Sequence, residues 1–364
     1  MYLNDLIAAI MKEFEAYRVY LAGEAIESIY FGGGTPSLLP GHDIDMLLQK
    51  IYKYFPIADN PEITFESNPD DLSYSYLKSL LNIGINRLSI GVQSFLDEDL
   101  KILNRCHSSK QSITCINTAQ HAGFENISID LIYGLPQFAG SIRGNPITKS
   151  PDKSLYNWSQ NLETSLKMNI QHISAYHLNI EPATVFYKYL NQGKLVVPDE
   201  EFSYRQFEML IEYTGNNDFV QYEISNFGKH GYFSVHNSNY WKNRKYLGVG
   251  PSAHSYDGTS RQWNISNTIK YIDGINKGVI PCERELLDNN ARFNDYIMTS
   301  LRTMWGIDLS FISNEFGTQN SDNLLKSYEP YILSGHARTE NNFLILTTPG
   351  KFISDRIISD LFLV

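Results

Sequence analysis

Residues 28–37 read SIYFGGGTPS, a short run of β-favouring side chains that leads directly into three glycines. Short runs of the same kind recur, each followed by a longer stretch of helical character, at residues 63–66, 87–92, 127–132 and 172–177. Strand and helix in repeated alternation is the signature of parallel strands joined by helices. The sequence therefore predicts an α/β fold built on a parallel (β/α) barrel.

The N-terminal segment predicts a helix in front of the first of these strands. Apolar side chains from Leu3 to Phe14 repeat every three or four residues, which is typical of an amphipathic helix over residues 3–20. Because a (β/α) barrel normally opens on a strand, we expect a strand before Met1 and a partial barrel that lacks its first strand. The start does not resemble a secretory signal and no long apolar run follows, which predicts a cytoplasmic protein without a membrane span.

Composition narrows the class of protein further. The chain has 364 residues, of which 42% are hydrophobic and 19% charged, so it can bury a sizeable core. Its formal net charge of −10 would repel phosphate backbones, which argues against nucleic acid as a partner. The three cysteines, Cys106, Cys115 and Cys282, are too few for a disulfide framework and fit a reducing compartment.

The pattern changes towards the C-terminus. Helical stretches at 295–304 and 323–332 are followed by a hairpin-like run at 343–347, which predicts a small α+β, winged-helix-like domain. We place the partial barrel and its extension at residues 1–280 and the small domain at 281–364. Residues 138–157 lack periodicity and are rich in Gly, Pro and Ser, which predicts a solvated insertion or long loop.

Three predicted strands end on or carry polar side chains, namely Glu66, Gln93 and Asp130. In a parallel barrel the carboxyl ends of the strands form the active face, so we expect these three to share a site. The alternative is that each one caps the helix that follows. The glycines at 32–34 would let the backbone approach a ligand closely, although a tight turn between strand and helix would use them as well.

These motifs resemble, in order, those of the radical S-adenosylmethionine (SAM) proteins in the oxygen-independent coproporphyrinogen oxidase group. The matching segments span nearly the whole chain, at residues 31–40, 66–69, 89–95, 103–107, 129–136, 174–182, 221–227, 236–241 and 246–255. The resemblance implies SAM as a cofactor, contacted by Gly33, Gly34, Thr35, Glu66, Gln93, Arg105 and Asp130. Such roles suit the residue types, since a carboxylate can accept from ribose hydroxyls and an arginine can grip a carboxylate. An exposed helix salt bridge is the alternative for Arg105.

Within that group the segment HNxxYW at residues 236–241 is similar to the HemW-type haem chaperones. This subgroup resemblance implies haem as a ligand and an unidentified haem-acceptor protein as a partner. His236 is the candidate haem contact, because a histidine with aromatic neighbours can hold a flat macrocycle. The alternative is a hydrogen-bonded structural histidine. Two other functions stay open: anaerobic oxidative decarboxylation of coproporphyrinogen III, and a cluster-free module that binds SAM or haem.

The group's radical chemistry uses a [4Fe–4S] cluster held by three cysteines in a CxxxCxxC motif. None of the three cysteines in this sequence has that spacing, so we assign no metal ligand and no catalytic residue. In the group the motif precedes the helix matched by residues 3–20. We expect the sequence to be an N-terminally truncated version of a longer protein, and the alternative is true loss of the motif.

Overall fold

The computed structural model describes residues 2–138, 141, 142, 145, 146 and 151–363. Its strands are β1 (Ile26–Phe31), β2 (Ile57–Ser67), β3 (Arg87–Gln93), β4 (Asn126–Tyr133), β5 (Gln137–Phe138), β6 (Ser141–Ile142), β7 (Asn145–Pro146), β8 (His172–His177), β9 (Leu195–Val196), β10 (Phe219–Gln221), β11 (Asn226–Lys229), β12 (His254–Tyr256), β13 (Ser260–Asn264), β14 (Cys282–Leu286), β15 (Ile307–Asp308), β16 (Ala337–Glu340) and β17 (Phe343–Leu346).

Its helices are α1 (Leu3–Ala16), α2 (Gly41–Tyr54), α3 (Tyr74–Asn82), α4 (Asp97–Ile102), α5 (Ser109–Ala122), α6 (Pro151–Lys167), α7 (Val185–Asn191), α8 (Glu200–Gly215), α9 (Val235–Trp241), α10 (Thr268–Asn276), α11 (Asn289–Leu301), α12 (Leu309–Phe316), α13 (Thr318–Leu333), α14 (Thr348–Phe352) and α15 (Ser354–Asp360). None of these described helices is both long enough and apolar enough to cross a membrane.

The chain divides into two compact units, each made of segments that are distant in sequence. Unit 1 comprises Met1–Tyr30, Leu39–Ile63 and Ser234–Val364, and unit 2 comprises Phe31–Leu38 and Thr64–Phe233. The sequence-based boundary between residues 280 and 281 stays a prediction.

Unit 2 is built on parallel strands. Strand β3 pairs with β2 and β4, and β4 pairs with β8, all in parallel. Every residue of β3 except Gln93 is buried, as expected for a parallel strand covered on both faces. The joining helices carry ordinary stop and start signals: α5 opens on a capping box of Ser108 and Gln111 and ends at a left-handed Gly123. The predicted α/β fold with a parallel sheet is confirmed.

The far edge of the unit 2 sheet is antiparallel. Strand β11 pairs antiparallel with β8, and β10 pairs antiparallel with β11. Residues 222–225 form the turn of this hairpin, where the Glu223 carboxylate accepts a hydrogen bond from the backbone N–H of Ser225. The turn thus satisfies part of its hydrogen bonding locally.

The predicted insertion at 138–157 is partly corrected. Helix α6 begins at Pro151, where the missing backbone N–H of proline suits the first turn of a helix. Residues 151–157 therefore belong to a helix whose Trp158 and Asn161 are buried. Residues 139, 140, 143, 144 and 147–150 lie outside the described residues.

In unit 1, strand β1 neighbours β2 in the sheet order, and β12, β13 and β14 form a separate antiparallel sheet. Helix α1 packs against α10 through Ala9 and Tyr271, which are fully buried. The buried carboxylate of Glu13 accepts hydrogen bonds from the Gly250 N–H, the Asn264 amide and the Tyr271 hydroxyl. This satisfied buried acid fixes α1 to the loop before β12.

The C-terminal part of unit 1 has its own hydrophobic core around Phe293, Ile297 and Tyr328. Its order is helix, strand, helix, helix and then two strands, with β15, β17 and β16 in one antiparallel sheet. The hairpin predicted at 343–347 is present as β16 and β17, and the two predicted helices are present as α11 and α13. Helix α12 was not predicted.

Candidate functional site

The glycine-rich loop after β1 has a left-handed backbone. Gly33 and Gly34 have φ values of +75° and +68°, which glycine adopts without strain. A Cβ built on either glycine meets no atom within 4 Å, so this side of the loop is open. The N–H of Gly33 donates to Glu66 Oε2 at 3.1 Å, and Glu66 lies at the end of β2. The structure therefore brings two of the predicted SAM contacts together.

Gln93 and Arg105 meet over Gly91. A Cβ on Gly91 would lie 3.0 Å from Arg105 Nη2 and 3.0 Å from Gln93 Nε2, so a larger residue there would displace the ends of both side chains by a few tenths of an ångström. Arg105 Nη2 also donates to the Gly91 carbonyl at 3.2 Å. Gln93 has a φ of +65°, unusual for a residue with a side chain, at the point where the register between β3 and β4 shifts. Strain of this kind concentrates at functional sites.

The guanidinium of Arg105 is positioned by its neighbours, but not all of its hydrogen-bond donors have a partner. Within the described part of the chain its Nε atom is buried and has no hydrogen-bond partner. A buried donor without a partner is costly, and a ligand carboxylate would satisfy it. The exposed helix salt bridge considered from the sequence is therefore wrong for this side chain, because the guanidinium lies over the backbone of β3.

Asp130 is the third polar residue of the strand ends. Its Oδ1 accepts from the Ser89 hydroxyl at 3.4 Å, and Ser174 also hydrogen-bonds to the carboxyl group. Burial raises the pKa of Asp130 to about 6, and the charge of Glu66 acts in the same direction. Asp130 and Glu66 are thus close enough to interact, which matches the expectation of a shared site at this edge.

Further residues that the sequence analysis missed surround Asp130. Tyr176 on β8 is 46% exposed and hydrogen-bonds to Ser174 and Asn226, close to the charge of Asp130. The buried Glu223 accepts from the Asn226 amide. The sequence could have indicated these residues, because they lie within two of the segments that match the family, SAYH at 174–177 and QYEISNF at 221–227. Their polar side chains link β4, β8 and β11.

The residues present fit SAM and do not fit an iron–sulfur cluster. The open glycine loop, the unsatisfied Arg105 Nε and the Asp130 carboxyl offer partners for a ligand with a carboxylate and hydroxyls. Cys106 is exposed, Cys115 is buried, and Cys282 lies 3.8 Å from the Tyr17 hydroxyl. Among the described residues no group of three His, Cys, Asp or Glu side chains could hold a metal ion.

His236 belongs to unit 1, where β1 orients its ring. The Ser28 hydroxyl and His236 Nδ1 are 3.1 Å apart, within hydrogen-bond distance. The Tyr30 ring stacks on the imidazole, with 4.7 Å between centroids and 24° between planes. Ser28 and Tyr30 are two residues apart on a strand, so they share a face and reach the same side chain. The ring is therefore fixed by two contacts.

Glu62 fixes the helix that carries His236, and the sequence analysis did not find it. Its buried carboxylate accepts from the Ser234 hydroxyl at 3.1 Å, the Val235 N–H at 3.0 Å and the His236 N–H at 2.9 Å. A carboxylate at this position satisfies donors that a helix leaves unpaired at its first turn. Glu62 thus holds the N-terminal end of α9.

Comparisons with known proteins show the family of the chain. Residues 5–139 match the model of the radical SAM superfamily. The heme chaperone HemW of Bacillus subtilis (strain 168) is 32% identical over 335 residues, 91% of this chain and 84% of that protein. The chain belongs to the HemW family. The heme chaperone HemW of Lactococcus lactis (strain IL1403) is 31% identical over 86% of this chain and 78% of that protein.

A solved structure shows the same fold. The coproporphyrinogen III oxidase HemN from Escherichia coli superposes with a TM-score of 0.80 over 99% of this chain and 83% of that chain, at 20% identity. This similarity confirms the fold and carries no statement on activity. In this HemW family chain all the predicted SAM contacts lie within residues 5–139, whereas His236 lies outside the matched range.

Proposed function

We propose that this chain binds haem and passes it to an acceptor protein. The observation that carries the proposal is the similarity along 91% of the chain to a protein named heme chaperone HemW. The geometry around His236 supports it, because the ring is oriented by β1 and its helix is held by Glu62. A cytoplasmic location belongs to the same proposal.

His236 would contact the haem iron through Nε2. The Nδ1 atom is engaged by Ser28, and a partner at one ring nitrogen sets the chemistry of the other. Stacking on Tyr30 keeps the imidazole in one orientation, so little side-chain freedom would be lost when iron binds. The sequence-based choice of His236 as haem contact is thereby retained as a proposal.

In unit 2 we propose that the chain binds SAM. The loop residues Gly33, Gly34 and Thr35 would face its methionine end, Arg105 its carboxylate, and Asp130 its ribose hydroxyls, with Glu66 and Gln93 completing the pocket. Bound to a reduced [4Fe–4S] cluster, SAM is the source of radical chemistry in the wider superfamily. The described residues do not fit such a cluster, and we derive no step through it.

Haem titration of the chain tests the main proposal. We expect His236→Ala to weaken haem binding about tenfold or more and to change the Soret band, because an axial ligand is removed. His42→Ala is the matched control, since its side chain is exposed on α2. Equal haem affinity and equal spectra for the wild type and His236→Ala would remove His236 from the site.

Two further measurements separate the alternatives. Anaerobic conversion of coproporphyrinogen III to a decarboxylated porphyrinogen would show that the chain is an enzyme, and would overturn a function limited to haem transfer. SAM binding by calorimetry should be lost in Glu66→Gln, with the exposed Glu125→Gln as control. Retained SAM affinity in Glu66→Gln would contradict the proposed SAM pocket. The separate proposal that the chain binds haem would not be affected by that result.

A further inference from the structure

Unit 1 carries a second candidate binding feature near His236. At the C-terminal end of α9, beside Tyr240, lies a small surface pocket that is open to solvent. Its lining includes three tyrosines, two arginines and one aspartate, namely Tyr240, Tyr246, Tyr256, Arg244, Arg261 and Asp295. Aromatic rings together with guanidinium groups are the chemistry that receives a flat ligand bearing carboxylates.

The tyrosines form a continuous aromatic wall. The ring centroids of Tyr240 and Tyr246 are 5.5 Å apart, and those of Tyr246 and Tyr256 are 6.2 Å apart. Tyr240 is 45% exposed, so the wall opens to solvent at this end. The two ring pairs are tilted, with 44° and 39° between planes, and together they offer ring surface and hydroxyls to a planar ligand.

The pocket is locally cationic in an acidic protein. Arg261 forms an ion pair with Asp295, and this contact holds its guanidinium at the pocket wall. The Arg244 side chain is exposed, and no ion pair of its guanidinium is found in the described part of the chain. With a formal net charge of −10 for the whole chain, an unpaired arginine beside an aromatic wall favours an anionic ligand here.

The pocket is joined to His236 through α9. Tyr240 follows His236 by four residues on this helix, so the two side chains lie on the same face, one turn apart. Tyr30 stacks on His236, and Tyr240 contacts Tyr246 in turn. One face of α9 therefore leads from the imidazole to the arginine-bearing pocket.

We propose that this pocket binds the carboxylate edge of a flat tetrapyrrole, with Arg244 as the group that contacts its propionates. The inference rests on the proposed function, since it takes haem as the ligand and His236 as the contact of its iron. In this proposal Arg244 recognises the propionates and the tyrosines recognise the flat ring. Neither contact requires the metal.

The test compares ligands with and without free carboxylates. Ferric protoporphyrin IX and its dimethyl ester are titrated into the wild type, Arg244→Gln and the control Arg356→Gln, an exposed arginine on α15. We expect Arg244→Gln to weaken binding of the free acid about tenfold and to leave the ester unchanged. Equal effects on both ligands, or no effect on either, would overturn the proposal.

Metal-free protoporphyrin IX separates this proposal from the one on His236. It lacks iron, so its binding should be insensitive to His236→Ala and weakened by Arg244→Gln. Tyr240→Leu should weaken both the free acid and the ester, because it removes part of the aromatic wall. Loss of haem binding in His236→Ala with no effect of Arg244→Gln on any ligand would retain the proposed function and refute the pocket.

Discussion

Replacing Asp130 with asparagine should stabilise the ligand-free chain at neutral pH. Burial raises the pKa of this carboxyl from its usual 3.8 to about 6, so the folded state holds the proton more tightly than the unfolded state. That contribution is fully present below pH 3.8 and is lost as the pH rises through 6. At pH 7.5 the ionised Asp130 therefore lowers the free energy of unfolding relative to a neutral side chain.

The magnitude follows from the same values. A rise in pKa from 3.8 to about 6 corresponds to about 3 kcal/mol at pH 7.5. Asparagine has nearly the same shape and can still accept from the Ser89 hydroxyl, so it should recover most of that free energy. Urea unfolding should show a stabilised Asp130→Asn variant at pH 7.5 and a difference that disappears near pH 4.

Ligand binding should change in the opposite direction. A carboxylate accepts hydrogen bonds from ribose hydroxyls more strongly than an amide, so Asp130→Asn should bind SAM roughly tenfold more weakly. The exposed Asp322→Asn serves as control for both measurements. A variant that is destabilised equally at pH 7.5 and pH 4, with unchanged SAM affinity, would refute the reasoning and assign Asp130 a purely structural role.

Three other perturbations test particular contacts. Glu62→Gln should lower the free energy of unfolding by about 1–2 kcal/mol and weaken haem binding, because Glu62 accepts from the donors at the start of α9. Urea denaturation measures the first effect and haem titration the second. Unchanged haem affinity would show that Glu62 does not support the haem site. Gly91→Ala should weaken SAM binding measured by calorimetry, because its Cβ would lie 3.0 Å from both Arg105 and Gln93. His172 is fully buried and its pKa lies well below 6.5, so the stability of the wild type relative to His172→Gln should fall by about 1.4 kcal/mol per pH unit below pH 6.5, as measured by urea unfolding of both proteins.

The regular part of the fold could be predicted from the sequence because it depends on local patterns. The run at 28–31 falls within β1, and the later β-rich runs fall within the parallel strands β2, β3, β4 and β8. Continuous apolar segments such as that of β3 mark strands buried on both faces. Helix α6 was missed because its first turn carries proline and polar residues that are also typical of loops. The β10–β11 hairpin was missed because its strands have only three and four residues.

The candidate sites divide in the same way. Glu66, Gln93 and Asp130 could be found as polar groups at strand ends, a rule that follows from parallel topology. Glu62 could not be found, because its hydrogen bonds reach residues more than 170 positions away in the chain. Ser28 and Tyr30 were within reach of a period-two pattern, although only the structure shows that His236 lies on their face of β1.

Three features of the pocket in unit 2 argue for a ligand rather than for helix caps. Gln93 has a left-handed backbone, Arg105 has a buried Nε atom without a partner among the described residues, and Asp130 has a buried carboxyl that burial disfavours when charged. Each feature lowers the stability of the empty protein, and none would be needed for capping a helix. A ligand that supplies a carboxylate to Arg105 and hydroxyls to Asp130 offsets two of these costs at once. Because such costs persist where function requires them, their convergence on the residues chosen from the strand ends supports the proposal of a SAM pocket at this edge.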